Sequence, residues 1–176
     1  MPNTALLVID MQVGLLDDED YPIFNKESLV FNVNLLISKA RSAGATIIFV
    51  RHTESSGSPL EIHQPGWQIS SEINITKDDI IIDKYTPDSF HQTSLTEILK
   101  EHNISRLVIV GLQSEYCIDT TCRRSFTLGL DTVLIRDAHS TFNSPILPAD
   151  SIIKHHNQVL SNSFVTLRDT SEAGFD

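Results

Sequence analysis

The sequence predicts an α/β fold: a three-layer α/β/α, Rossmann-like domain built on a mainly parallel six-stranded sheet. Three observations predict it. Short apolar runs without polar alternation, such as Leu6-Leu7-Val8-Ile9 and Leu107-Val108-Ile109-Val110, read as strands buried on both faces. Segments of helical periodicity lie between them. The alternation runs the length of the chain, which calls for right-handed crossovers and helices on both sheet faces.

The elements follow in order. Residues 5–9 form the first strand. The spacing predicts a helix over 25–43, with Leu29, Val33, Leu36, Ile37 and Ala40 on one face and Gly44 as its stop. Residues 46–50 form the second strand. The stretch 51–77 is rich in Ser, Gly and Pro and reads as a long lid, binding loop or partner contact. Residues 80–82 form the third strand, and Ser89 is a cap for a helix over 91–101. A fourth strand at 106–110 leads into a helix over 115–128 that Gly129 ends. A fifth strand at 131–135, a helix over 149–160 and an edge strand at 163–167 complete the domain.

A chain of 176 residues is read as one domain with a substantial core. Its 40% hydrophobic and 20% charged residues are ordinary for a soluble globular protein. A formal net charge of -10 argues against nucleic-acid binding, which needs a positive surface. No apolar run is long enough to span a membrane. Met1-Pro2-Asn3-Thr4 carries no basic region, so no leader is expected. Cys117 and Cys122 fall out of phase on a helix, so two free thiols in a reducing cytoplasm are expected. Asp10-Met11-Gln12-Val13-Gly14 lacks the closely spaced glycines of a dinucleotide site, and no Walker A pattern occurs.

Three chemically capable groups share one address. Asp10 closes the first strand, Lys84 follows the third, and Cys117 lies just past the fourth and Gly111. Open α/β sheets place their chemistry at these carboxyl ends. An acid, a cation and a thiol there form a candidate catalytic set.

Around these residues the chain resembles the isochorismatase-like cysteine hydrolases, in their amidohydrolase branch. The resemblance runs from Ala5 to about Thr166 and rests on pieces in register: Leu7-Val8-Ile9-Asp10-Met11-Gln12, Gly66-Trp67-Gln68-Ile69, Asp79-Ile80-Ile81-Ile82-Asp83-Lys84 with Ser89-Phe90, Gly111 to Thr120, and Asp137-Ala138. It implies that Asp10, Lys84 and Cys117 are a catalytic triad and that a non-proline cis peptide joins Leu112 to Gln113. Ser114 stands where the family often has threonine and keeps the hydroxyl. The backbone amides of Gln113 and Cys117 are then the oxyanion hole. Asp137 supports the site loops.

Chemically, Cys117 in the first turn of a helix and beside Lys84 is expected to be a favoured thiolate. Asp10 accepts the thiol proton and returns it to a leaving amine. Trp67, Phe90 and Tyr116 are candidates for the pocket wall, and His52 and His139, with Arg51 and Glu54, for polar contacts to substrate. Cys122 is read as structural. Related nicotinamidases bind a divalent metal with an Asp-x-His sequence, but here Val50 replaces that aspartate, so His52 and His63 form an incomplete set and neither metal nor cofactor is expected. The resemblance also implies a homodimer or homotetramer. The expected activity is hydrolysis of a small amide or carbamoyl C–N bond. The alternatives are vinyl ether hydrolysis of the isochorismatase type, nicotinamide hydrolysis, or a silent binding or scaffold subunit.

Overall fold

The computed structural model describes residues 3–18 and 20–175, so the reading of Met1 and Pro2 lies outside the described residues. Six strands form one all-parallel sheet in the order β3-β2-β1-β4-β5-β6: β1 Thr4–Ile9, β2 Thr46–His52, β3 Ile80–Lys84, β4 Arg106–Leu112, β5 Asp131–Ser140 and β6 Thr166–Arg168. The strand order reverses between β1 and β4. In doubly wound sheets that switch point opens a crevice at the carboxyl ends of the strands.

The helices are α1 Val13–Leu16, α2 Lys26–Ser42, α3 Leu95–Glu101, α4 Asp119–Thr127 and α5 Ala149–Ser161. Alternate residues of β1 feed two cores, as the two-residue period of a strand requires. Leu6 and Val8 join Leu29, Val33, Leu36 and Ile37 of α2 on one face. Ala5, Leu7 and Ile9 join Leu95 and Leu99 of α3, with Cys117 and Cys122, on the other. Every residue of β1 is buried, which explains the unbroken apolar run. Among the described residues no helix is long and apolar enough to cross a membrane.

Several elements differ from the sequence expectation. α1 was not anticipated; a single turn leaves almost no periodic signal. The third helix starts at Leu95, because Ser89 bonds the Thr121 hydroxyl at 2.9 Å instead of capping it. The segment behind Cys117 is not one α-helix. It opens as a π-helical turn, Ser114–Ile118, and only then continues as α4. β3 and β5 run further than their apolar cores, to Lys84 and Ser140, and β5 does so through an irregularity. While β4 advances from Ile109 to Gly111, β5 advances from Leu134 to His139. The extra residues bulge outward, exposing Arg136 and Asp137 and returning His139 to the interior.

One glycine is obligatory. Gly111 has φ 117, and a Cβ there would stand 2.0 Å from the Ile9 carbonyl oxygen. Only glycine lets β4 lie this close to β1 and so brings the Cys117 turn beside Asp10.

Candidate active site

Asp10 leaves β1 in a left-handed conformation, φ 54, held by its amide N–H donating to the Val50 carbonyl at 2.9 Å. Such a backbone is costly for a residue with a side chain, by about 1 kcal/mol or more, and marks a position that the surroundings enforce. Lys84 comes from β3, two strands away, a span of about 10 Å. Its long side chain crosses the end of β2 to reach the switch point, which a shorter cation could not do.

There the ammonium is saturated. Lys84 Nζ donates to Asp10 Oδ2 at 2.9 Å, to Cys117 Sγ at 3.0 Å and to His52 Nδ1 at 3.0 Å. Three N–H groups meet three acceptors, and Lys84 is 0% exposed. Since Nδ1 of His52 accepts, its ring proton is on Nε2. Burial, and then the neighbouring Lys84 charge, push the His52 pKa down, so the ring is neutral. Burial disfavours the Lys84 ammonium, but Asp10 and Cys117 outweigh it and its pKa is raised. The second Asp10 oxygen, Oδ1, is buried and, among the described residues, has no hydrogen-bond partner. It is a free acceptor beside the thiol.

The expectation of a resting thiolate is corrected by this arrangement. Burial, and then the Asp10 carboxylate, push the Cys117 thiol up to about 12. One ammonium cannot hold two buried anions, and the carboxylate is the stronger acid of the two partners. The π-helical turn also replaces the regular first helical turn whose field was to favour the thiolate.

Above the triad lies a cleft of about 210 Å³ lined by Asp10, Leu15, His52, Glu54, Leu60, Pro87, Gln113, Tyr116 and Cys117. The Leu112–Gln113 peptide at its floor is cis. A single strand order, one reversal point and an acid, an amine and a thiol meeting there are the outline of a known architecture, and the comparison with known families agrees: the isochorismatase domain matches residues 4–169.

The chain belongs to the isochorismatase family. It is 31% identical over 96% of its length to an uncharacterized isochorismatase family protein, YrdC, of Bacillus subtilis (strain 168), covering 92% of that protein. It is 30% identical to Nicotinamidase 3 of Arabidopsis thaliana, over 82% of this chain and 78% of the relative. A crystal structure of an isochorismatase family protein superposes with a TM-score of 0.89 at 31% identity, over 95% of this chain and 98% of that one. Isochorismatase-family membership makes the protein a hydrolase.

Within this family frame, Asp10, Lys84, Cys117, Gln113, Tyr116 and His52 meet at the cleft. Other expected site residues do not. Trp67 is buried in packing: its indole N–H donates to Thr53 Oγ1 at 2.8 Å and the Arg51 guanidinium lies 3.6 Å above its ring. Arg51 is held there by Asp83, at 2.7 and 3.1 Å. Phe90 sits in the core with Leu95 and Cys122. His139 lies behind the Ser114–Ile118 turn, its Nδ1 2.7 Å from Ser114 Oγ and its Nε2 2.9 Å from Asn157 Oδ1. Burial drives the His139 pKa down to about 4. Asp137 is exposed by the β5 bulge and accepts from Thr170 N and Oγ1 at 2.9 and 2.8 Å, so it ties down the C-terminal segment and not the site loops.

Gln12 was overlooked. Its amide donates to the carbonyls of His52 and Trp67, both at 2.9 Å, and accepts from the His52 N–H at 2.7 Å. It fixes the end of β2 against the loop. The signal was present, as a buried-type polar residue within the Asp10 motif. The residues weighed as a metal set, His52 and His63, lie in different surroundings. Val50 is buried in the sheet, and His63 is exposed with its ring edge against Trp67. Asp10, His52 and Cys117 do converge, with ligand atoms within 4.8 Å of one another, but the Lys84 ammonium bonds all three.

Proposed function

We propose that the protein hydrolyses a small amide or carbamoyl C–N bond through a thioester on Cys117. The observation that carries this reading is the Lys84 ammonium bonded to both Asp10 and Cys117, with Asp10 Oδ1 left unpaired beside the thiol. As Sγ attacks the carbonyl carbon, its proton passes to Asp10 Oδ1. The Lys84 ammonium, freed from balancing a carboxylate, balances charge at sulfur. The carbonyl oxygen takes the negative charge and is met by the backbone amides of Gln113 and Cys117. Asp10 then gives the proton to the leaving nitrogen, the C–N bond breaks and ammonia or an amine departs. Water, deprotonated by Asp10, attacks the thioester, and the acid is released with the thiol restored.

The nicotinamidase relative supports amide chemistry, while the missing metal set speaks against nicotinamide itself as the substrate. Turnover needs Cys117 reduced, and we therefore read the protein as working in the reducing cytoplasm. A screen of aliphatic amides, carbamoyl compounds, lactams, nicotinamide and isochorismate tests the reading, with Cys117→Ala alongside. Amide or carbamoyl turnover that vanishes in Cys117→Ala is the expected result. Turnover of isochorismate alone, or any turnover that survives Cys117→Ala, overturns it.

A further inference from the structure

We propose that the cleft selects amides whose far end carries a cationic amine and disfavours those carrying a carboxylate, with Glu54 as the residue that sets this preference. The inference rests on the amide-hydrolase reading of the same site.

The cleft has a definite charge pattern. At its floor Asp10 and Lys84 offset each other in a closed pair at 2.9 Å. Lys84 has committed all three N–H groups, so it has none left for a substrate carboxylate. His52 is neutral, as its lowered pKa and its acceptance of the Lys84 bond require. Among the described residues neither arginine nor any other lysine lines the cleft. Arg51, the cation nearest along β2, is turned onto Trp67 and paired with Asp83.

What remains is Glu54. Its side chain is 47% exposed, at the mouth, with Oε1 3.9 Å from His52 Nε2. The residue is not loose. The Ser58 hydroxyl donates to Oε2, and the Glu54 N–H donates to the Leu60 carbonyl at 3.1 Å. A fixed, half-exposed carboxylate therefore stands in the cleft wall, and Leu15, Leu60 and Pro87 line the same cleft as Cys117. An amide with a short apolar spacer and a terminal ammonium matches that set of groups. A terminal carboxylate would meet Glu54 and find no cation. A unit charge a few ångströms from a partly hydrated site changes affinity by about tenfold in either direction.

The test reads Cys117 itself, so that it does not depend on finding the substrate. Purified protein is treated with methanethiosulfonate reagents carrying an ammonium, a hydroxyl or a sulfonate head group. Rates of labelling at the Cys117 peptide are followed by mass spectrometry and each is divided by the rate with free 2-mercaptoethanol. The normalised ammonium rate is expected to exceed the sulfonate rate by about tenfold or more. Glu54→Gln, whose amide still accepts from Ser58, is expected to reduce that ratio to about threefold or less. Raising salt to about 0.5 M removes the general field of an acidic protein and leaves the local difference between the two proteins. An unchanged ratio in Glu54→Gln, or a faster sulfonate, overturns the proposal. Failure of the amide-hydrolase reading would instead show as turnover that survives Cys117→Ala, or as turnover of isochorismate alone, while the labelling ratio stood.

Discussion

Two buried polar networks flank the Cys117 turn, and they are built on opposite principles. On the cleft side, Lys84 gathers Asp10, His52 and Cys117 around one charge. Behind the turn, His139 links Ser114 to Asn157 without any charge, its pKa held near 4 by burial. The first network stores a proton acceptor and a balanced charge, which is what the proposed acyl transfer needs. The second holds the start of the π-helical turn, which is what aiming Cys117 needs. A charged hub is fragile to loss of one partner, whereas a neutral chain costs only its hydrogen bonds.

This contrast can be broken in graded steps. Cys117→Ala removes the proposed nucleophile and is expected to lower kcat by about 10⁴-fold or more, with little change in the thermal transition. Asp10→Asn keeps the shape but not the proposed base, and a fall of about 10²–10⁴-fold in kcat is expected from steady-state assays. Lys84→Met leaves Asp10 buried without its cation and should cost about 3–5 kcal/mol in urea unfolding, with activity lost as well. Retention of activity in Lys84→Met at full stability would contradict the hub.

The neutral chain predicts smaller and differently shaped effects. The folded pKa of His139 lies below its usual 6.5, so the unfolded chain takes up the proton first. Its contribution to stability is complete above pH 6.5 and is lost as pH falls towards about 4, by about 3 kcal/mol. His139→Gln should flatten that part of the stability–pH curve and lower kcat more than it raises KM, as expected of a positioning residue. An unaltered curve would remove His139 from this role. Cys122, equally buried but surrounded by core and facing neither network, gives the smallest effect: Cys122→Ala should cost about 1 kcal/mol and leave turnover within twofold.

The same contrast explains what the sequence disclosed. Asp10, Lys84 and Cys117 each follow an apolar run that ends a strand, so their meeting at one edge was readable from the alternation of elements. The parallel sheet was readable from those runs, but its strand order, β3-β2-β1-β4-β5-β6, was not. Trp67 and Phe90 were legible as motif residues but not as packing residues, because a motif fixes a position along the chain and not the direction of a side chain. The Ser114–His139–Asn157 chain was hidden for another reason. His139 returns inward only through the β5 bulge, and a bulge breaks the two-residue alternation that would have marked the strand's continuation. The raised thiol pKa was not legible because Asp10 reads from the sequence as a proton acceptor, while burial and the nearness of its charge, which depends on Gly111, also oppose a thiolate.

The central claim is that carbon from the substrate is held on Cys117 during turnover. Rapid acid quenching of the protein with a turned-over amide, followed by peptide mass spectrometry, tests it most directly. The account predicts an acyl increment on the Cys117 peptide, labile to hydroxylamine and absent from Cys122. Steady turnover of that amide with Cys117 never modified, and undiminished in Cys117→Ala, would contradict it.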